Sequence, residues 1–298
     1  MPVRTPPERL LIRLEWRVLR RLDGILAGGY RTAARGTGTD LAGLRAYVEG
    51  DDARHIDWNV TARLNEPQLR LFTEDRELTV WLVLDCSASM MVGAPGRGKH
   101  DVLSELTLAL ARLFGRGGNR VGAVLYDTGA VRTVPPGSGR GHALRIGAEL
   151  ARTAASAARS GRTTDLAAML DAVGKLARRR ALIVVISDFI GDGDWERSLL
   201  RLAPRHEVVA LRVTDPADDV LPDAGLVVVE DAETGEQLVI DSGDPLLRAG
   251  LRDAVGERDT RLAAGASRAG VPVHRIDTSA DLARALVEVV MSTRRRRL

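Results

Sequence analysis

Cysteine is nearly absent. Cys86 stands alone in 298 residues, which excludes an intramolecular disulfide and any cysteine-rich metal cluster and fits a reducing compartment. Aromatic residues make up only 3% of the chain, too few to build the stacking platforms that hold single-stranded nucleic acid. Basic and acidic residues nearly balance, 43 against 40, for a formal net charge of +3, so no nucleic-acid partner is expected. No apolar run approaches the roughly 18 residues needed to cross a bilayer, and no secretory leader pattern opens the chain, so a cytoplasmic protein is expected. The five histidines, His55, His100, His142, His206 and His274, are scattered without a His-Glu-x-x-His spacing, which gives zinc hydrolysis no support. Gly-x-Ser-x-Gly is also missing, so neither Ser87 nor Ser89 reads as the nucleophile of a hydrolase elbow.

What is present is a chain with 45% hydrophobic residues, enough to bury a full core. Residues 8–27 place Leu11, Leu14, Val18, Leu22 and Ile25 on one helical face beside Arg13, Arg17 and Arg20, an amphipathic helix that could pack on the protein or rest on an anionic membrane surface. Residues 28–77 are glycine-rich and then extended, and read as hairpins. From 78 onward strands and helices alternate. Strands are expected at 79–85, 120–126, 130–134, 181–187, 207–213, 226–230, 237–240 and 271–276, and helices at 99–114, 142–158, 165–179, 195–202, 246–269 and 280–292. This pattern predicts an α/β fold with a doubly wound, mostly parallel sheet, irregular near 215–243. The expected division is an N-terminal helix with an extended segment over 1–77, the main domain over 78–293, and a solvated basic tail over 294–298 that could also meet an acidic partner or lipid.

The most informative stretch is 81–90, Trp-Leu-Val-Leu-Asp-Cys-Ser-Ala-Ser-Met. An apolar strand ends there in Asp85, Ser87 and Ser89, a carboxylate and two hydroxyls at alternate positions of the outgoing turn. Hard oxygens of this kind suit Mg²⁺ or Mn²⁺ and not zinc. A second apolar strand, 181–188, delivers Asp188 at its end, and Thr164 sits in a loop entering the 165–179 helix. Cys86, inside the first turn, reads as a small buried residue. Asp192 and Asp194 read as turn and helix-cap residues. Residues 93–100, Gly-Ala-Pro-Gly-Arg-Gly-Lys-His, nearly spell a phosphate-binding loop, but His100 replaces the required hydroxyl, Pro95 removes a cradle N–H, and the strand ends too early.

The triple pattern resembles the metal-ion-dependent adhesion site of von Willebrand factor A domains. The resemblance implies Asp85, Ser87, Ser89, Thr164 and Asp188 as ligands of Mg²⁺ or Mn²⁺, with Thr164 fitting the Thr-Asp-Leu order better than Thr163, and a partner's acidic residue completing the coordination. Upstream, Gly38, Leu44-Arg45-Ala46-Tyr47, Gly50-Asp51-Asp52-Ala53-Arg54-His55-Ile56-Asp57-Trp58, Ala62-Arg63 and Phe72-Thr73-Glu74-Asp75-Arg76 are similar to the signature of the bacterial family called domain of unknown function fifty-eight. Members of that family often accompany MoxR-type AAA+ ATPases. In physical terms, Arg45, Asp51, Asp52, Arg54, Asp57 and Arg63 are expected to form an ion-pair network with Trp58 as its apolar anchor, so that deleting one member strands a buried charge. Three functions follow as candidates: a non-enzymatic, metal-dependent module recruiting a protein partner, such as a MoxR-type ATPase or its client; a Mg²⁺-dependent hydrolase using the same oxygens; and a membrane-surface scaffold contacting lipid through the N-terminal helix.

Overall fold

A computed structural model of the chain describes residues 8, 35–49, 51–73, 78–91, 96–116, 118–127, 130–156, 163–191, 194–219, 221 and 223–295. The helix expected over 8–27 falls, apart from Glu8, outside the described residues. Of the described residues, 35–73 belong to the smaller of two compact units, Ile25–Glu77, and those from Leu78 onward to the larger.

The smaller unit pairs strand β1 (Arg35–Ala46) antiparallel with strand β2 (Gln68–Thr73). Between them lies a helix, α1 (Trp58–Leu64), where hairpins alone were expected. Its cause is local. Asp57 is the N-cap, accepting from the Asn59 and Val60 N–H groups, and Asn65 ends the helix in the left-handed conformation at φ 55°. The expected single network is instead a set of separate pairs. Arg45 grips Asp51 with two hydrogen bonds of 2.7 Å, Arg54 meets Asp52 at 2.8 Å, and Asp57 pairs with Arg70, at 2.9 Å, a residue that the sequence pattern did not single out. Arg63 joins no ion pair among the described residues. Trp58 is 68% exposed and anchors nothing. Arg54 is 87% exposed, so its loss strands no buried charge, contrary to the network expectation.

The larger unit is built on one six-stranded sheet: β3 (Thr79–Asp85), β4 (Arg120–Asp127), β5 (Ala130–Gly137), β6 (Leu182–Ser187), β7 (Glu207–Thr214) and a last strand, Val273–Asp277, which becomes β10 once the hairpin strands β8 (Leu226–Glu230) and β9 (Gln237–Asp241) are counted. The spatial order is β10-β7-β6-β3-β4-β5, parallel throughout except for the edge pair β4–β5. The central strands read as continuous apolar runs because helices cover both faces. Val80, Leu82, Val83 and Leu84 are fully buried, each contributing about 1.5–3 kcal/mol of transfer free energy. Alternation along β3 divides the core. Trp81 and Val83 pack with α4 (Leu166–Leu176), α5 (Trp195–Leu202) and, beyond the single turn α6 (Pro216–Asp219), α7 (Pro245–Arg268), through Met169, Leu199 and Leu262. The opposite face takes α2 (Lys99–Arg116), with α3 (Gly139–Ser156) and α8 (Leu282–Arg295) packed on it. Gly122 stands opposite Trp81 in register, and a methyl group there would come within 2.8 Å of the indole ring.

Three further expectations are corrected. The strands at 226–230 and 237–241 do not join the main sheet but form a separate antiparallel hairpin, β8–β9. The last strand starts at Val273, two residues late, because the Val271 N–H is spent on the Ala266 carbonyl at the end of the preceding helix, at 2.9 Å. Arg294 and Arg295 close helix α8 and do not belong to a tail, while 296–298 lie outside the described residues. No described helix is long and apolar enough to cross a membrane.

Candidate functional site

Strand β3 sits between β4 and β6, so the chain winds away from it in both directions. Such a switch point opens a crevice beyond the carboxyl ends of the two central strands, where α/β proteins bind ligands. Asp85 is the last residue of β3 and Asp188 follows β6 directly. Both are buried, as are Ser87 and Thr164, while Ser89 is half-buried.

Short-range polar contacts tie these groups together. The Ser87 N–H donates to Asp85 Oδ1 at 3.0 Å, and the Ser87 and Ser89 hydroxyls lie 3.0 Å apart. Ser187 bridges the two strand ends: its hydroxyl donates to Asp85 Oδ2 at 2.6 Å and accepts from the Phe189 N–H at 2.8 Å. Phe189 holds the left-handed conformation at φ 56°, a strain that its buried edge-on packing against Trp195 offsets. The Ile190 N–H donates to Asp188 Oδ1 at 3.0 Å. Gly191 then passes so close to the Thr164 carbonyl oxygen that any side chain would collide with it, which brings the Asp188 turn against the Thr164 loop. Thr163 is exposed and Thr164 buried. Asp165 caps α4 and Asp194 caps α5; Asp192 lies outside the described residues. Cys86 is fully buried, and burial pushes its thiol up, away from nucleophilic use.

Four polar residues with no place in the sequence motif complete the site. Ser187 is one. Lys99, at the start of α2, is 2% exposed and donates from Nζ to Asp188 Oδ2 at 3.0 Å and to Asp218 Oδ2 at 2.9 Å. Burial draws the Lys99 ammonium down, but Asp188 and Asp218 outweigh it and hold it above its ordinary value. Glu233, in the turn of the β8–β9 hairpin, accepts from the Thr164 N–H at 2.6 Å and from the Thr164 hydroxyl. The near P-loop spelling around Lys99 was a signal, although of a buried ion pair and not of phosphate. For Glu233, 69 residues from Thr164 in the chain, and for Asp218 no local signal exists.

Electrostatically, acid outweighs base around Asp188: it shares the Lys99 ammonium with Asp218, and its charge acts on Asp85 and on Glu233. Burial and then the Asp188 carboxylate push Asp85 well above the usual carboxylate range, against the hydrogen bonds from Ser187 and Ser87. Burial likewise raises Glu233, with Asp188 and Asp231 adding to it, against the Thr164 hydrogen bonds. A divalent cation fits this donor set. Asp85, Ser87, Ser89, Thr164 and Asp188 offer hard oxygens only, and each Asp188 oxygen, with its one donor from Ile190 or Lys99, keeps a lone pair to spare. Among the described residues, no three His, Cys, Asp or Glu side chains are grouped closely enough to hold a metal by themselves, so the hydroxyls of Ser87, Ser89 and Thr164 would have to share in any coordination.

The fold and site thus define a doubly wound α/β protein with a buried, oxygen-rich polar cluster at its switch point. The chain belongs to the family described as Protein of unknown function DUF58, whose signature matches residues 43–261. It is 39% identical over 284 residues to the uncharacterized proteins Rv1480 of Mycobacterium tuberculosis and Mb1516 of Mycobacterium bovis, covering 95% of this chain and 88% of each of theirs. Among solved structures, an aerotolerance-related membrane protein from Bacteroides fragilis has a TM-score of 0.45 at 16% identity, covering 74% of this chain and 100% of that one. The conserved hypothetical protein BatB from Bacteroides thetaiotaomicron has a TM-score of 0.46 at 17% identity, covering 72% and 98%. Likenesses of this grade carry no functional information.

Proposed function

We propose that this DUF58 protein is a metal-dependent protein-interaction module, an adaptor or co-chaperone for a MoxR-type AAA+ ATPase or its client, and not an enzyme. The observation that carries the reading is the meeting of two buried carboxylates and three hydroxyls at the ends of β3 and β6. Asp85, Ser87, Ser89, Thr164 and Asp188 would hold Mg²⁺ or Mn²⁺. Bound there, the cation supplies an electrophilic centre that a partner's Asp or Glu can ligate. The chain's own groups do the rest: Ser187 and the Ser87 N–H orient Asp85, the Ile190 N–H orients Asp188, and Lys99 balances part of the charge. A hydrolytic reading needs a base that is not itself a metal ligand, and the candidates at the site are engaged: Lys99 with Asp188 and Asp218, and Glu233 with Thr164. The MoxR partner rests on the resemblance of the Gly50–Trp58 string and its neighbours. The cytoplasm, where such an ATPase works, is the proposed location.

The test has two parts. Free Mg²⁺ at ten times its Kd should raise stability by about 1.4 kcal/mol, and Asp85→Asn should remove that gain. A MoxR-type ATPase from the same genome should be retained by the immobilised wild-type chain in Mg²⁺ and lost in EDTA or with Ser87→Ala. A melt indifferent to both Mg²⁺ and EDTA would take the metal out of the reading.

A further inference from the structure

Glu233 is a carboxylate from a remote part of the chain seated on Thr164, a group proposed above to ligate the metal. It is only 7% exposed, whereas the hairpin that carries it is open to solvent: Leu226 is 77% exposed, Val228 62%, Leu238 61% and Val239 65%. One face of β8–β9 is therefore free, and the apolar hold on the other is limited to the half-buried Val227, Val229 and Ile240. At its base, Ser242 ties Ala224 and Gly225. At its tip the hold is Glu233 on Thr164.

The tip is built to present that one side chain. Asp231 accepts from the N–H groups of Glu233 at 2.9 Å and Thr234 at 2.7 Å, its carbonyl accepts from the Gly235 N–H at 2.8 Å, and Gly235 supplies the left-handed step at φ 74°. If the contact were a mere brace, an acid would be a costly choice. Glu233 has no basic partner among the described residues, and its charge adds to that of Asp188. A carboxylate at this place makes sense where a carboxylate is what the site receives.

We propose that Glu233 is an internal stand-in for the acidic residue of the partner, and that the β8–β9 hairpin is a latch that must lift before the partner docks. The proposal rests on the reading of the site as a metal-dependent receptor for a carboxylate. It names the competitor at that site and the class of partner segment that can displace it, an exposed turn bearing Asp or Glu.

The probe is a synthetic peptide of residues 228–239, which supplies the stand-in from outside. Calorimetry would measure the binding of Mg²⁺, and then of the peptide in saturating Mg²⁺, to the full-length wild type and to Glu233→Gln. Both proteins should bind Mg²⁺. The peptide should bind Glu233→Gln about 10-fold more tightly than wild type or better, because a site closed nine-tenths of the time loses affinity by that factor. The same peptide carrying Glu233→Gln should bind neither. If both proteins bind Mg²⁺ and their peptide affinities are equal, the latch is overturned and the metal reading stands. If neither binds Mg²⁺, the metal reading itself fails and takes the latch with it. Should Glu233→Gln not fold, Asp231→Ala keeps the carboxylate but loosens the turn that presents it, and should give a smaller gain of the same sign; no gain overturns the proposal.

Discussion

The two ends of the central sheet carry opposite chemistry. At the carboxyl end, beyond β3 and β6, acidic side chains are buried and each has donors: Asp85 from Ser87 and Ser187, Asp188 from Ile190 and Lys99. At the amino end of β7, His206 is buried beside Arg180 and Arg205, and neither of its ring nitrogens has a hydrogen-bond partner. Burial first, then the two arginines, hold its imidazolium below its ordinary pKa. One end keeps its charges by surrounding them with donors and a counter-ion. The other keeps a titratable group buried by leaving it neutral. Strand backbones at the carboxyl end point free N–H groups and turn side chains toward a common point, and this makes the first solution available there.

The contrast is most easily broken at Lys99. Lys99→Met leaves Asp188 and Asp218 without their shared ammonium, and stability measured by denaturant unfolding near pH 7 should fall by about 3–5 kcal/mol. A loss no greater than that from replacing His206 would erase the difference between the ends. Ser187→Ala removes the donor to Asp85 and the acceptor of the Phe189 N–H together, and the same assay should show a loss of about 1–3 kcal/mol. Gly191→Ala should cost a similar amount, about 1–3 kcal/mol, by forcing the Asp188 turn off the Thr164 carbonyl. Its Mg²⁺ affinity should fall with its stability; full affinity would show that the close approach does not shape the site.

The smallest effect belongs to the amino end and is read from pH. An unfolded His titrates near 6.5, and His206 in the fold titrates lower, so between these values the unfolded chain binds more protons than the native one. Stability should therefore be full above about pH 6.5, fall as pH drops toward the folded pKa, and level off below it. His206→Gln should flatten that limb of a melting-temperature profile, and an unchanged profile would show that the imidazole does not sense burial.

Much of the larger unit was legible in the chain because its signals are local. Apolar runs marked β3, β4, β6 and β7 to within a residue or so, and the breaks after Asp85 and Asp188 marked where the strands end. The smaller unit was less legible. Asp57 reads equally well as an ion-pair partner and as a cap, and the cap, which folds α1, was overlooked. Trp58, expected as the apolar anchor of the ion-pair network, lies exposed.

The amino-acid sequence by itself determined the strand and helix periods, the doubly wound class and the motif residues Asp85, Ser87, Ser89, Thr164 and Asp188, since each is written within a few neighbouring residues. Only the tertiary structure decided that Lys99 is a buried counter-ion to Asp188 and Asp218, that Ser187 bridges two strands, and that Glu233 closes on Thr164. These contacts join positions tens of residues apart, and the side chains involved are common polar types. What distinguishes them is burial beside an opposite charge or a hydrogen-bond donor, a property that exists only once the sheet has brought the strand ends together.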